Sequence, residues 1–530
     1  MNRLFGAGLL ILAAILPIEA QQPGGGRGGR GGFPPPVPIG TTPKPAVPNA
    51  KALRTCESLA QVALPDTTIE SAATDPADPA ICRVTAITTH PPMGDKIKIW
   101  LAIPTSNWNG RFLGNGGGGF VGGSAAGVNP GVALGYASGS TDTGHEGGSG
   151  SFALDASGRI NWQSIRDNAH VGIHEMTVTG KALTQAMYGA APRYSYWLGC
   201  STGGRQGLSE AQKYPQDYDG IVAGAPAINW TKLLMQSIWG SMQMNRSDNP
   251  VPVAKLAAAT TAAIEACDTI DGVKDGVIED PGRCHFDPKE LLGKPAGDSG
   301  TFTEADTNII RKIWEGPRRE DGTFLWYGQA RGADLGALAA SRGTPLRPVG
   351  FAFTQDWLKY WLTQNPQFDW STMTPAAYER YWDQSQEEFG AVIGTDNPDL
   401  TGFRDRGGKA IIWHGWADQL ITADASIDYY KRVQKQMGGA DKVSQFARLY
   451  MAPGVGHCGG GAGPSPYGQL DAMLSWVENG KAPETLTAAR RDQTGAITRS
   501  RPLCRYPLVA KYKGSGSTDD AANFTCSAGF

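Results

Sequence analysis

The turn Gly199-Cys200-Ser201-Thr202-Gly203-Gly204 constrains this chain more than any other segment. It is entered from a β-rich run, Tyr194-Ser195-Tyr196-Trp197-Leu198, and left into a helix-forming stretch over 206–213. Strand, glycine-bounded turn with a central serine, then helix is the layout of a nucleophile elbow. The sharp turn lifts the serine hydroxyl off the sheet, and the next backbone N–H can help hold an oxyanion. Glycine supplies 71 of the 530 residues, so the pattern needs support from elsewhere in the chain. An Asp and a His that follow in a suitable order provide it.

The surroundings of the turn predict an α/β sheet. Lys96 to Ile103 begins with polar–apolar alternation, a strand signal. Residues 111–113 feed four consecutive glycines at 116–119, 135–138 read as another strand, and 174–188 have helical spacing. After Pro226 the strand–helix rhythm stops. Residues 228–405 hold eight of the fifteen tryptophans, Trp326, Trp357, Trp361, Trp370 and Trp382 among them. Most of these should form the core of an inserted lid, with a few facing a substrate. Sheet pattern returns at 408–415 and 446–451. The expected organisation is therefore a catalytic α/β domain over 51–227 and 406–530, interrupted by a lid over 228–405.

At the N-terminus, one positive charge, an apolar run over 4–17 and a small residue at Ala20 match a secretory signal peptide over 1–20. Residues 21–50, rich in Gly, Arg and Pro, read as a flexible linker. No later run reaches the length of a membrane span. Lys plus Arg total 48 against 50 Asp plus Glu, a balance that argues against nucleic acid or an anionic membrane as the main partner. The chain is expected to be secreted or periplasmic. Eight cysteines suit an oxidising compartment. Their order suggests the pairs Cys56–Cys82, Cys267–Cys284 and Cys504–Cys526, with Cys200 and Cys458 left over, although eight cysteines allow about a hundred connectivities. Three sequons, at Asn229, Asn245 and Asn523, matter only in a eukaryotic secretory route.

Asp418 lies just beyond the 411–414 strand, and His457 lies in a loop beyond the 449–451 strand. Ser201, Asp418, His457 is the chain order of α/β-hydrolases. The chemistry needs a base for the serine proton and a buried carboxylate to fix the imidazole tautomer. Asp424 is the rival acid and His414 the rival base, the latter better read as structural. Thr202 N–H and a backbone donor from the glycine run, Gly119, are the expected oxyanion pair. Cys200 adjoins the serine and Cys458 the histidine, so a meeting of Ser201 and His457 brings both cysteines together. A free Cys200 nucleophile is the competing reading.

A second constellation runs from Cys267 to Val277. The side chains of Asp268, Asp271 and Asp275, with the carbonyls of Val273 and Val277, would suit a calcium ion. A pair of Asp-Gly turns is the plainer reading.

Taken together, Cys200-Ser201, Asp418 and His457-Cys458 resemble the CS-D-HC motif of the tannase and feruloyl esterase family, which also includes hydrolases of mono(2-hydroxyethyl) terephthalate. The likeness runs from about Cys56 to the C-terminus. It includes Trp108-Asn109-Gly110-Arg111-Phe112, Gly199 to Arg205, and Tyr218-Asp219-Gly220-Ile221-Val222-Ala223-Gly224-Ala225-Pro226. The resemblance implies an α/β-hydrolase core, a calcium-carrying lid, a Cys200–Cys458 disulfide and hydrolysis of small aromatic carboxylic esters. It carries the oxyanion role to Gly119 and Thr202 and the calcium role to Asp268, Asp271, Val273, Asp275 and Val277. Arg347 and Phe351 resemble a lid pair that contacts an aromatic acid bearing a free carboxylate. Thr202 fits the feruloyl-esterase and tannase pattern more closely than the terephthalate one. The alternatives are a serine hydrolase of different scope, such as a peptidase or a short-chain esterase, and a non-catalytic protein on a hydrolase scaffold.

Overall fold

The computed structural model describes residues 39–529. The signal-like segment at 1–20 and residues 21–38 lie outside them. Strands β1 (Thr67–Thr74), β2 (Ile81–Thr88), β3 (Ile97–Pro104), β4 (Arg111–Asn115), β5 (Ala137–Thr141), β6 (Tyr194–Cys200) and β7 (Gly220–Gly224) come first. A long insertion follows and carries a small hairpin, β8 (Ser341–Arg342) with β9 (Arg347–Pro348). Strands β10 (Lys409–Gly415) and β11 (Ala447–Ala452) then complete a nine-stranded sheet of order β1-β2-β3-β5-β4-β6-β7-β10-β11.

Pairing is antiparallel from β1 through β5 and parallel from β5 to β11. Burial follows that division. Every residue of β4, β5, β7 and β11 is buried, as expected for parallel strands covered by helices on both faces. Strand β2 alternates half-buried and buried residues, the mark of a sheet covered on one face. Together these features define an α/β-hydrolase fold. Parallel alignment also places the carboxyl ends of β4, β6, β10 and β11 along one edge, where ligands of open α/β sheets bind.

The segment between β7 and β10 is largely helical, with Trp239–Arg246, Val253–Cys267, Glu304–Glu315 and Pro375–Ile393 among its longer helices. Trp357 and Trp361 are fully enclosed and stack on each other at 4.5 Å. They belong to one apolar cluster with Trp230, Trp239, Trp326, Trp370 and Trp382, and also with Phe120 and Ile165 from before the insertion. The lid thus shares a core with loops and helices of the catalytic domain, and its tryptophans are mainly packing residues.

Two expectations change. Residues 39–50 are tied down, not free. Thr41 N–H donates to Asp471 at 2.9 Å, Ala46 N–H to the Asn109 carbonyl at 2.8 Å, and Arg111 reaches the Lys44 carbonyl at 2.8 Å. Composition could not show this, because the segment is held through its own backbone N–H and carbonyl groups. Asn229 is only 4 % exposed and donates its amide to Asp396 at 2.8 Å, so that sequon is closed to a glycan in the folded chain.

Candidate active site

Strand β6 ends at Cys200, and the helix Thr202–Lys213 begins immediately after Ser201. Glycines at 203 and 204 are poor helix formers, which is why propensity places the helix start later, near 206. The reason for them is steric. A Cβ on Gly199 would lie 2.4 Å from the Gly203 carbonyl group, and one on Gly116 would lie 2.4 Å from the Gly203 Cα. Strand, turn and glycine loop close only without those side chains. Ser201 itself sits at φ 62°, ψ −124°, a conformation rarely occupied by a non-glycine residue and one concentrated at functional sites.

Opposite the serine, His457 Nδ1 meets Asp418 Oδ2 at 2.8 Å. Asp418 is 2 % exposed, and its other oxygen accepts the N–H groups of Leu420 at 2.8 Å and Ile421 at 2.9 Å. His457 N–H is anchored on the Gln419 side chain at 3.0 Å. The imidazole therefore takes Asp418 and not Asp424, which stands in the first turn of the helix Ala423–Gln436.

His414 is fully enclosed and plays a different part. Its Nε2 lies 3.1 Å from both Asp418 Oδ2 and the Ile421 carbonyl, and its Nδ1 lies 2.8 Å from Ser426 Oγ. A carbonyl can only accept, so Nε2 carries a proton that it directs at Asp418 and the Ile421 carbonyl, while Ser426 holds the other ring nitrogen. Two imidazoles thus converge on one carboxylate oxygen. Burial alone would raise the Asp418 pKa. The charge of His457 and the hydrogen bonds from His414 and His457 outweigh burial and hold it well below the usual carboxylate range.

Thr202 is 1 % exposed, and its hydroxyl donates to the Gly119 carbonyl at 2.6 Å. This contact locks together the two residues expected to supply oxyanion donors. The Thr202 N–H is the first of its helix and has no intrahelical acceptor. Gly119 has φ 59°, and a Cβ there would press within 2.5 Å of the Phe353 ring, so the position is confined to glycine. Gln206, which the sequence reading did not single out, accepts from Gly117 N–H and donates to the Gly122 carbonyl, each at 3.0 Å. It staples the glycine loop to the elbow helix.

Ser201, Thr202, Gly119 and His457 line one cleft, whose walls are Ala227, Trp230, Leu233, Leu234, Phe351, Phe353, Leu420 and Ile421. Its volume is about 40 Å³, room for a few water molecules. Phe351 is at the site as the sequence suggested. Arg347 is not: it is an exposed residue of the β8–β9 hairpin, outside the cleft lining. Trp230, Phe353, Leu420 and Ile421 went unrecognised because, in sequence, apolar residues of a lid or strand end look like core.

All eight cysteines are paired, as Cys56–Cys82, Cys200–Cys458, Cys267–Cys284 and Cys504–Cys526, so Cys200 is not a free thiol. The Cys200–Cys458 bridge spans 258 residues and joins the serine turn to the histidine loop. Replacing both cysteines by serine is expected to lower stability by about 5 kcal/mol through loop-closure entropy. Denaturant unfolding with the other three bridges intact checks this.

The acidic loop of the lid wraps around Asp268, whose carboxylate accepts the N–H groups of Asp275 and Gly276 at 3.0 Å and of Val277 at 3.3 Å. Asp271 accepts from Val273 N–H at 3.0 Å, and Asp275 pairs with Arg501 at 2.6 Å. Burial raises the Asp271 and Asp275 pKa values, and neighbouring carboxylates add to the effect. The loop therefore concentrates hard oxygen donors with excess negative charge, a chemistry that fits calcium. Its three carboxylates are not among the described trios of donor atoms that close to within 4.8 Å, so backbone carbonyls would have to complete a shell.

A Ser–His–Asp set at the carboxyl edge of a mainly parallel sheet, entered through a nucleophile elbow, defines a serine hydrolase of the α/β-hydrolase class. Comparison with known proteins narrows the class. The family profile described as tannase and feruloyl esterase matches residues 82–527. A probable feruloyl esterase of Arthroderma benhamiae is 39 % identical over 465 residues, covering 85 % of this chain and 86 % of the relative. Two solved structures share the fold. Feruloyl esterase B from Aspergillus oryzae is 29 % identical with a TM-score of 0.78, over 89 % of this chain and 99 % of that one. Tannin acyl hydrolase from Aspergillus niger is 27 % identical with a TM-score of 0.79, over 89 % and 94 %. The chain belongs to the tannase and feruloyl esterase family and is a carboxylic ester hydrolase.

Proposed function

We propose that the protein is an exported serine esterase that cleaves esters of uncharged aromatic carboxylic acids, of the feruloyl or galloyl kind. Ser201 attacks the ester carbonyl while His457 takes its proton and then protonates the departing alcohol. Asp418 holds the imidazole, and the N–H groups of Thr202 and Gly119 receive the oxyanion. Water releases the acid by the same route. The observation that carries the substrate class is the cleft wall: it is apolar and aromatic, and His457 is its one ionisable side chain. With Arg347 outside, nothing in the wall compensates the carboxylate of a terephthalate monoester, whose desolvation is costly.

A panel of methyl ferulate, methyl gallate, a terephthalate monoester and a peptide amide tests this reading. The neutral esters should exceed the monoester in kcat/KM by at least about tenfold, the discrimination given by roughly 1.4 kcal/mol of uncompensated polar burial. Preference for the charged ester or the amide overturns it.

Export is supported by four disulfides and by the signal-like N-terminus. Among the described residues no helix is long and apolar enough to cross a membrane. Calcium, held by Asp268, Asp271, Asp275 and the carbonyls of Val273 and Val277, would neutralise the lid loop and stiffen it. Chelation should lower the melting temperature by about 2–3 °C, the scale of 2–3 kcal/mol of lost ligand linkage in a chain of this length, with less than about a twofold change in activity at low temperature. An unchanged melting curve counts against the metal.

A further inference from the structure

Outside the catalytic cleft, metal-ligating side chains gather where the β2–β3 connection meets the start of a helix. His90 and Asp95 lie in that connection. Asp167 opens a π-turn, Asp167–Val171, which runs into the helix Gly172–Tyr188. One donor atom from each of His90, Asp95 and Asp167 lies within 4.8 Å of the other two. The loop is shaped to hold its pair: His90 Nδ1 is 2.6 Å from Asp95 Oδ2, and His90 N–H donates to Asp95 Oδ1 at 2.9 Å. Glu175, one turn into the helix, stands 3.6 Å from His90 Nε2.

An independent observation points to a missing partner. Asp167 is fully enclosed, its Oδ1 accepts from Gln163 at 2.8 Å, and its Oδ2 is buried with no hydrogen-bond partner. A buried carboxylate oxygen without a donor is costly and calls for an explanation. Charge gives the same indication. Among the described residues, His90 is the ion-pair partner of both Asp95 and Glu175. Three carboxylates therefore face one imidazole, an imbalance that suits a dication.

We propose that His90, Asp95 and Asp167 bind a divalent transition-metal ion of the zinc class, with Glu175 within reach as a further ligand. One imidazole nitrogen with carboxylate oxygens is a zinc-, cobalt- or manganese-type donor set, not a calcium one. The ion would clamp the β2–β3 connection to the Asp167 turn. Asn168, the next residue, donates to the Phe120 carbonyl at 3.2 Å and to Thr143 Oγ1 at 3.0 Å. The clamp would therefore sit one residue from a brace on the glycine loop that ends at Gly119. The rival occupant of the gap is a proton on Asp167, whose pKa burial and the Asp95 charge push up to about 7. A second trio, His174, Glu210 and Asp217, has similar spacing, but the Lys181 ammonium reaches the Asp217 carbonyl and already supplies positive charge there.

The test is calorimetric titration of zinc into the full chain saturated with calcium, with cobalt absorption as a second readout. One zinc per chain is expected. His90→Ala and Asp167→Asn should each weaken binding by at least about 100-fold, and His174→Ala should leave it intact. The His90 side chain is 30 % exposed, so if Asp167→Asn fails to fold, His90→Ala decides the matter. Absence of stoichiometric binding to the folded wild type would show that a proton fills the gap. That result, binding that survives His90→Ala, or binding lost in His174→Ala would overturn the proposal.

Discussion

Ser201→Ala is expected to lower kcat/KM for an aromatic methyl ester by about 10⁵- to 10⁶-fold, the cost of removing the nucleophile of a serine triad. The melting temperature should stay within about 1 °C of wild type, because nothing the backbone requires is lost. Ser201 occupies a left-handed φ of 62°, and alanine keeps the Cβ, so the turn is equally strained in both proteins. The turn is held by other contacts: Ser201 N–H donates to the Gly224 carbonyl at 2.9 Å, and Arg205 and Ala227 N–H groups donate to the Ser201 carbonyl at 3.0 and 3.1 Å. Kinetics beside a thermal melt separate the two effects.

Asp418→Asn should lower kcat by about 10⁴-fold and destabilise the fold by roughly 2–3 kcal/mol, as buried donors lose their acceptor. The argument is a count of lone pairs. One oxygen of Asp418 accepts two backbone N–H groups and the other faces two imidazole N–H groups. An asparagine NH₂ must oppose donors whichever way it is turned. It leaves either the backbone pair unsatisfied or His457 in the wrong tautomer.

The same carboxylate has a pH signature. Its folded pKa is depressed, so the stability it contributes is present in full above the unfolded value of about 3.9 and is lost as pH falls below it. The stability gap between wild type and Asp418→Asn should therefore be widest between pH 5 and 7 and narrow below about pH 4. Denaturant unfolding across that range measures it.

What could be read from the sequence, and what could not, follows from where each signal lies. The elbow, the order of Ser201, Asp418 and His457, and the glycine run are local patterns tied to strand ends, and a parallel sheet brings strand ends together automatically. Cys200 and Cys458 were legible for the same reason, as neighbours of residues that must meet. The lid resisted because its helices are separated by many turns and follow no strand–helix rhythm, and its tryptophans look alike whether they pack or face a ligand. Trp230 lines the cleft while Trp357 does not, a difference set by tertiary placement alone. Arg347 was misplaced because its role rested only on resemblance to a lid Arg-x-x-x-Phe pair, whereas here it sits exposed on a hairpin. His414 was recognisable as structural. Its hold on Asp418 could not be seen, because it depends on Ser426 and Ile421 closing around the ring.

The central claim is an acyl-enzyme on Ser201, and the most direct test is mass spectrometry of the chain quenched in acid within the first turnover of a chromogenic ferulate ester. The account predicts one feruloyl adduct per chain, mapped to the peptide that carries Ser201 and absent from Ser201→Ala. An adduct on any other residue, or a single-turnover burst that persists in Ser201→Ala, would contradict it.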